Sequence, residues 1–232
     1  SFLGYIAAKR FGASRGTLVM AATGAMVSST AVTAALAMRV RDGEESEAMA
    51  IAGIGAASAV MLIRAIVLTL FLAPAAMPAF GWLAAPAALV SGGAMFWALR
   101  SRRKESAANR PVELKNPFRL APAIGLMLLV MVLTVAARWM MAMVGERGLA
   151  LVIALSGLAD VDSAIITVGS LPPGLLEGQI ATIVIIAPVL ANTLFKGATA
   201  LAIAGLRKGW KLALPLVLSV AASLAVLPTL LV

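Results

Sequence analysis

Long apolar stretches, separated by short polar segments, make up most of the chain. A helix needs about 20 mainly apolar residues to cross the hydrocarbon core of a bilayer. Stretches that meet this requirement with few interruptions lie at 48–73, 79–99, 120–143, 178–204 and 212–232. We therefore predict an all-α integral membrane protein, built as a polytopic helical bundle.

Two further apolar stretches, 17–38 and 149–169, are long enough to cross but carry small and polar residues at their centres. Irregular backbone at membrane depth is tolerated only where protein or a water-filled cavity satisfies its polar groups. Ser, Thr and Asp are also good N-cap residues. We expect each stretch to be broken or re-entrant, with a half-helix beginning at the break. The residues concerned are Ser28, Ser29 and Thr30 in the first stretch, and Asp160, Asp162 and Ser163 in the second.

The two halves of the chain share an order of features. Gly24 and Gly157 each precede the polar centre of an interrupted stretch, and a lone cation follows at a similar distance, Arg64 in the first half and Lys196 in the second. Such self-similarity predicts an internal repeat. We predict a single membrane domain over 1–232, in which 1–100 is repeat one with a truncated first helix, 101–119 is a basic cytoplasmic linker, and 120–232 is repeat two.

The distribution of basic residues favours re-entrant segments. If every stretch crosses, the loops on the two sides hold seven and nine Lys and Arg residues; if 17–38 and 149–169 return to the side they entered, the counts become fifteen and one. Cytoplasmic loops are enriched in Lys and Arg, so the uneven count is preferred. Each half then has three spanning helices, and the repeats have inverted topology, as in many secondary transporters. Eight ordinary spanning helices in a parallel repeat remain the alternative.

Five charged residues fall inside the apolar segments. Arg138 lies near a helix end and can reach the membrane interface, whereas Arg64, Lys196, Asp160 and Asp162 lie deeper. A charge at the centre of a membrane helix costs on the order of 2.5–3.5 kcal/mol on insertion scales, so such residues face a partner or a cavity. Asn192, Thr193 and Lys196 are spaced to share a helix face. We expect this polar stripe to face the two aspartates, with a purely structural salt bridge as the alternative.

Composition excludes several classes of function. The chain is 62% hydrophobic and 12% charged, against about 45–50% and 25% in soluble domains. Its net charge of +9 does not indicate nucleic-acid binding, since most of the chain lacks a solvated surface. Without His or Cys there is no disulfide, imidazole or thiolate metal site, or Ser-His-Asp triad. We expect no enzyme and no cofactor; metal binding by the aspartates stays open.

Three runs resemble a known family: Gly-Leu-Ala-Asp-Val-Asp at 157–162, Asn-Thr-Leu-Phe-Lys at 192–196, and Gly-Ala-Met-Val-Ser-Ser-Thr-Ala at 24–31. The chain is similar to the C-terminal membrane domain of unknown function, of the domain-of-unknown-function 4010 type, that follows the MgtC/SapB domain in bacterial proteins. The resemblance implies a multi-pass protein of the bacterial inner membrane, with an MgtC-like N-terminal domain in the full-length chain. It implies no particular substrate.

We expect a transporter or permease for a small ion or anionic metabolite, coupled to an ion or proton. The alternative is a non-transporting regulatory or scaffold module of the MgtC/SapB type. Expected partners are the lipid bilayer and the solute, a second copy in a homodimer is a further candidate, and nucleic acid is excluded. The expected substrate- or ion-binding residues are Ser28, Ser29, Thr30, Arg64, Asp160, Asp162, Ser163, Asn192, Thr193 and Lys196.

Overall fold

The computed structural model describes residues 13–105, 157–158, 160–169 and 178–230. Within these ranges the secondary structure is helical and contains no strand. Short 3₁₀ turns occupy Pro74–Ala76 and Leu227–Leu230. The helices are α1 (Ala13–Ala25), α2 (Ser29–Arg41), α3 (Glu47–Leu72), α4 (Met77–Glu105), α5 (Val161–Gly169) and α6 (Gly178–Val226).

Three segments of this described part are long and apolar enough to cross a membrane: Glu47–Leu72, Pro74–Ser101 and Val184–Leu230. They correspond to the stretches predicted at 48–73 and 79–99, and to the pair at 178–204 and 212–232. The structure therefore agrees with the prediction of a helical membrane protein. The stretch predicted at 120–143 and most of the linker at 101–119 lie outside the described residues.

The long helix α6 is two helices joined at Gly205. This glycine has φ 74° and ψ 164°, a backbone conformation that residues other than glycine rarely adopt. The chain folds back there, because Gly209 lies against the backbone of Ala200 and Gly197 lies beside Ala213 and Leu216. The two halves, 178–204 and 206–226, are thus an antiparallel pair, as the two separate apolar stretches in the sequence predict.

α1 and α2 also lie antiparallel, with the break at 26–28 between them. Thr17, near the start of α1, donates a hydrogen bond of 3.0 Å to the carboxylate of Glu45, which follows the end of α2. Ala21 of α1 and Leu36 of α2 both lie close to Gly53 of α3. Each of these helices has 13 residues, or about 20 Å at 1.5 Å per residue, which is too short to cross about 30 Å of hydrocarbon.

The bundle has a basic end, defined by the start of α3, the end of α4 and the fold at Gly205. Lys208 donates to the carbonyl of Val40 at 2.9 Å, and Lys211 pairs with Glu47 at 2.6 Å. α4 runs antiparallel to α3, since Gly55 packs on Met95, so the last turns of α4 reach this end too. At the opposite end, Ser223 bonds to the carbonyl oxygen of Leu83 at 2.8 Å.

Two buried clusters fill the space between the helices. The cluster toward the basic end is made largely of alanines with Leu36, Ile54 and Leu212, and the other contains Phe80, Leu83 and other large side chains. Lipid tails are as apolar as a protein core, so helices in a membrane associate by close packing, which small residues permit. The alanine-rich contacts therefore bring α2, α3 and α6 close together around the polar residues described below.

Gly205 and Gly197 provide a matched pair of substitutions. We expect Gly205→Ala to lower the free energy of unfolding by about 1–3 kcal/mol, because alanine is strained at this backbone conformation. Gly197 is helical, and an added Cβ would meet only Cβ atoms at 3.8 and 4.0 Å, so Gly197→Ala should raise stability by about 0.5–1 kcal/mol. Thermal unfolding of both variants in detergent measures the difference; equal effects would contradict a fold at Gly205.

Candidate functional site

The N-terminus of α2 begins at the break in the first interrupted stretch. Ser28 has an extended backbone, and its hydroxyl accepts a hydrogen bond of 3.2 Å from the amide of Ala31. This is an N-cap, as the residue types predict. Ser29 and Thr30 follow in the first turn and are buried, with 8% and 5% of their surface exposed.

The N-terminus of α5 is capped by a carboxylate. Asp160 accepts from the amides of Asp162 and Ser163, both at 3.2 Å, and from the Ser163 hydroxyl at 2.6 Å. The sequence offers Asp160, Asp162 and Ser163 as candidates for this cap. The structure gives the capping role to Asp160, just outside the helix, and places Asp162 and Ser163 in the first helical turn.

Asn192 on α6 joins the two broken segments. Its Nδ2 donates to the carbonyl oxygens of Gly157 at 3.0 Å and Leu158 at 3.5 Å, and to Thr30 Oγ1 at 3.4 Å. The side chain is 3% exposed. We call this meeting of the α2 and α5 N-termini at Asn192 the crossing.

Close backbone approach accounts for the glycine at the crossing. A Cβ at Gly157 would lie 2.3 Å from the Cα of Pro188 and 2.7 Å from its carbonyl oxygen. No side chain fits there without moving the backbone of α6. Gly157 thus lets the second interrupted stretch pack directly on α6, one turn from the Asn192 side chain that binds its carbonyl group.

Arg64 on α3 ties the end of α1 to the start of α5. Its Nη1 donates to the carbonyls of Ala25 at 3.0 Å and Met26 at 2.8 Å, at the C-terminal end of α1. Its Nη2 forms an ion pair with Asp162. A cation at a helix C-terminus and an acid in a first turn both suit the helix dipoles. Arg64 therefore interacts favourably with both broken segments.

Lys196 is the most deeply buried charged side chain in the described part of the structure, with 0% exposed. Its Nζ lies 3.1 Å from the sulfur of Met61, and no carboxylate in the described ranges contacts it. The sequence led us to expect an aspartate opposite Lys196. The structure differs because Arg64 is placed against Asp162 by its additional bonds to the end of α1.

Thr193 occupies the same part of α6 but has a local role. Its hydroxyl donates to the carbonyl of Val189 in the preceding turn at 2.8 Å. The predicted stripe of Asn192, Thr193 and Lys196 is therefore on one helix and buried, while Asn192 alone of the three forms hydrogen bonds with the broken segments in the described structure.

Sequence reasoning did not find two of the residues around this site. Ser58 on α3 is 3% exposed and its buried hydroxyl has no partner in the described structure, and Met61 contacts Lys196. A serine within an apolar stretch, three residues before Met61 and six before Arg64, was a weak signal for the first. Nothing in the sequence distinguishes Met61 from a lipid-facing methionine.

The carboxylates at the crossing do not form a multi-carboxylate cluster in the described ranges. No group of three or more Asp or Glu side chains that could hold a metal comes together in residues 13–105, 157–158, 160–169 and 178–230. Asp160 is engaged by the amides of its own helix and Asp162 by Arg64. The other polar groups near the crossing are the N-terminus of α2, the side-chain amide of Asn192 and the buried amino group of Lys196.

The family described as Domain of unknown function (DUF4010) matches residues 1–204. The chain belongs to the DUF4010 family. The matched region contains both half-helix N-termini, Arg64 and Lys196, and it ends next to the fold at Gly205. The crossing is thus part of the DUF4010 domain itself. Neither the curated proteins nor the solved structures provide a match to the chain.

The Arg64–Asp162 pair should couple more strongly than a surface pair. We expect Arg64→Gln, Asp162→Asn and the double variant to show an interaction energy of about 0.5–3 kcal/mol, toward the upper end because both side chains are mostly buried. Lys211–Glu47, whose side chains are 44% and 33% exposed, is the control and should give about 1 kcal/mol or less. Unfolding free energies in detergent provide both cycles, and a coupling at Arg64–Asp162 no larger than the control would contradict this role.

Proposed function

We propose that this DUF4010 domain is a secondary transporter or permease of the bacterial inner membrane, which moves a small ion or anionic metabolite through the crossing. The observation that carries the proposal is the contact of Asn192 with both broken segments at once. Transporter sites typically lie where interrupted helices present half-helix termini near the bilayer midplane.

An inverted repeat is supported by the directions of α2 and α5. From the crossing, α2 runs to the basic end, where Val40 accepts from Lys208. α5 runs the other way beside α3, from Asp162 at Arg64 to Gly169, which packs on the backbone of Leu72. Two equivalent half-helices that leave one point in opposite directions are what two repeats of inverted topology would produce.

A re-entrant first segment is supported by the Thr17–Glu45 hydrogen bond and by the charges at the basic end. A segment that enters and leaves on one side brings its two ends together, as this bond does. Arg39, Lys208 and Lys211 all lie at the same end, and cytoplasmic ends are enriched in Lys and Arg. We infer that the basic end faces the cytoplasm and that the tip at 26–28 reaches into the membrane.

Coupling would act through the Arg64–Asp162 pair. A proton or cation that neutralises Asp162 removes the attraction of Arg64 for α5, while the bonds of Arg64 to Ala25 and Met26 can remain. A ligand shifts a conformational equilibrium only by its difference in affinity for the two states. Loss of this pair supplies such a difference, because in the neutralised state Arg64 no longer holds the start of α5 against the end of α1.

A non-transporting membrane module of the MgtC/SapB type is the second candidate. It is favoured by one observation: both aspartates already have partners within the chain, Asp160 in the cap of α5 and Asp162 with Arg64. Buried ion pairs can serve structure alone. In that case a preceding MgtC-like domain or a second copy of the chain would be the partner, and the crossing would hold the bundle together.

Single-cysteine labelling in this Cys-free chain tests the topology. In the re-entrant arrangement, Glu44→Cys and Leu206→Cys are labelled from one side and Ala75→Cys from the other. With eight ordinary crossings, position 206 instead shares a side with 75 and opposes 44. All three residues are exposed, so reactivity should report sidedness. A membrane-impermeant maleimide applied to oriented vesicles distinguishes the two patterns.

Flux in proteoliposomes tests transport. We expect the full chain to move a small ion or anion under an imposed proton, sodium or potential gradient, and Asp162→Asn or Arg64→Gln to slow it about tenfold or more, because each removes a charge at the crossing. Glu47→Gln, which alters the exposed pair at the basic end, should keep near wild-type flux. A folded chain that moves none of the tested ions and metabolites would favour the non-transporting module.

A further inference from the structure

We propose that the crossing binds a monovalent oxoanion that still carries a hydroxyl hydrogen, held at the N-terminus of α2 with Lys196 as its counter-charge. This names the substrate class of the site and rests on the proposed function for the statement that the anion is cargo. Bicarbonate is the smallest member of the class and serves as the probe.

The two half-helix N-termini differ in charge. At α5, Asp160 binds the free amides of the first turn, and Asp162 is paired with Arg64. Asp160, Asp162 and Arg64 therefore all have partners within the chain. A carboxylate already occupies the place at which an anion would bind α5.

At α2 the cap is neutral. The Ser28 hydroxyl accepts only from the amide of Ala31, and in the described structure the amides of Ser29 and Thr30 have no acceptor. The first amides of a helix have no partner within it and carry the positive end of the helix dipole. This N-terminus thus resembles the α5 terminus with its carboxylate removed.

Lys196 supplies an amino group one turn along α6 from Asn192, the residue that contacts this terminus. α2 and α6 run side by side from the crossing, since Thr30 contacts Asn192 and Val40 contacts Lys208. Lys196 lies one turn beyond Asn192 on α6, and its contact is the weakly accepting sulfur of Met61 on α3. When this amine is protonated, no carboxylate in the described part balances its charge, so a single negative charge from a monovalent anion would stabilise it.

Asn192 selects for the hydroxyl. Its Nδ2 is engaged at the crossing, whereas its Oδ1 is fully buried and accepts no hydrogen bond from the described residues. Buried polar atoms nearly always have partners, and an anion without a hydrogen would place one acceptor against another. An O–H group on the anion donates to Oδ1 while its charged oxygens accept from the α2 amides and Lys196.

Bicarbonate and nitrate form a matched probe pair, because both are planar trigonal monoanions and only bicarbonate carries a hydrogen. A ligand that binds the folded state raises the unfolding temperature, and the rise grows with the logarithm of the ligand concentration divided by its dissociation constant. Thermal unfolding of the purified chain in detergent is followed in each sodium salt, at constant ionic strength with chloride as the balancing anion. We expect bicarbonate to stabilise the chain at lower concentration than nitrate.

Variants separate the two features of the proposal. Lys196→Met keeps an apolar side chain of similar length, so the core should fold, and it should weaken binding of both anions about 100-fold. Asn192→Leu also removes the Nδ2 bonds at the crossing, so the two anions are compared in the same variant, which should weaken bicarbonate about tenfold more than nitrate. Thr199→Val, whose hydroxyl bonds only within α6, and Lys211→Gln at the basic end are controls that should bind as the parent does.

Each result bears on one proposal. Equal stabilisation by nitrate and bicarbonate, no stabilisation by either, or an undiminished response in folded Lys196→Met overturns this inference. Anion binding with the expected variant pattern but no flux in proteoliposomes leaves the site in place and removes the transport function. Flux of a cation by a chain that gives no anion response removes the anion site and leaves transport in place.

Discussion

Helix ends inside a bilayer must find their hydrogen-bond partners in the protein, because hydrocarbon offers none. The break at 26–28 and the start of α5 create three helix ends within the bundle, and each of them has at least one partner. Arg64 of α3 binds the carbonyls that end α1, Ser28 caps α2, and Asp160 caps α5. Asn192 then holds the two N-termini together. The positions of α3 and α6 follow from this requirement, since both must pass the crossing closely enough to supply these groups.

Close packing makes that approach feasible. Alanines dominate the cluster among α2, α3 and α6, and Gly157 lets its segment rest on the backbone of Pro188. Larger residues at these positions would hold the helices apart and lengthen the bonds of Asn192 and Arg64. The small residues thus serve the polar contacts as well as the packing energy, which explains why they concentrate between the basic end and the crossing.

The hydrophobic pattern predicts the helices well and their pairing less well. The boundaries of α3 and the separate halves of α6 follow from segment length, and the break near Ser28 follows from small polar residues at the centre of an apolar stretch. Whether Arg64 or Lys196 pairs with Asp162 depends on which of the two cations can also reach the carbonyl groups at the end of α1. The sequence does not give the distances between these groups. Ser58 and Met61 were missed for the same reason, since their importance arises only from contact with or nearness to the polar site.

The N-termini of α2 and α5 differ in charge, and this difference decides which of them has room for an anion in the proposed site. An inverted repeat with identical termini would present two equal anion sites facing each other. Here Asp160 fills one of them and Asp162 cancels Arg64, so the positive potential is confined to α2 and Lys196. Under the proposed function, an anion held at α2 alone would have different surroundings in two conformations of the bundle. That difference would supply the differential affinity that a transport cycle needs.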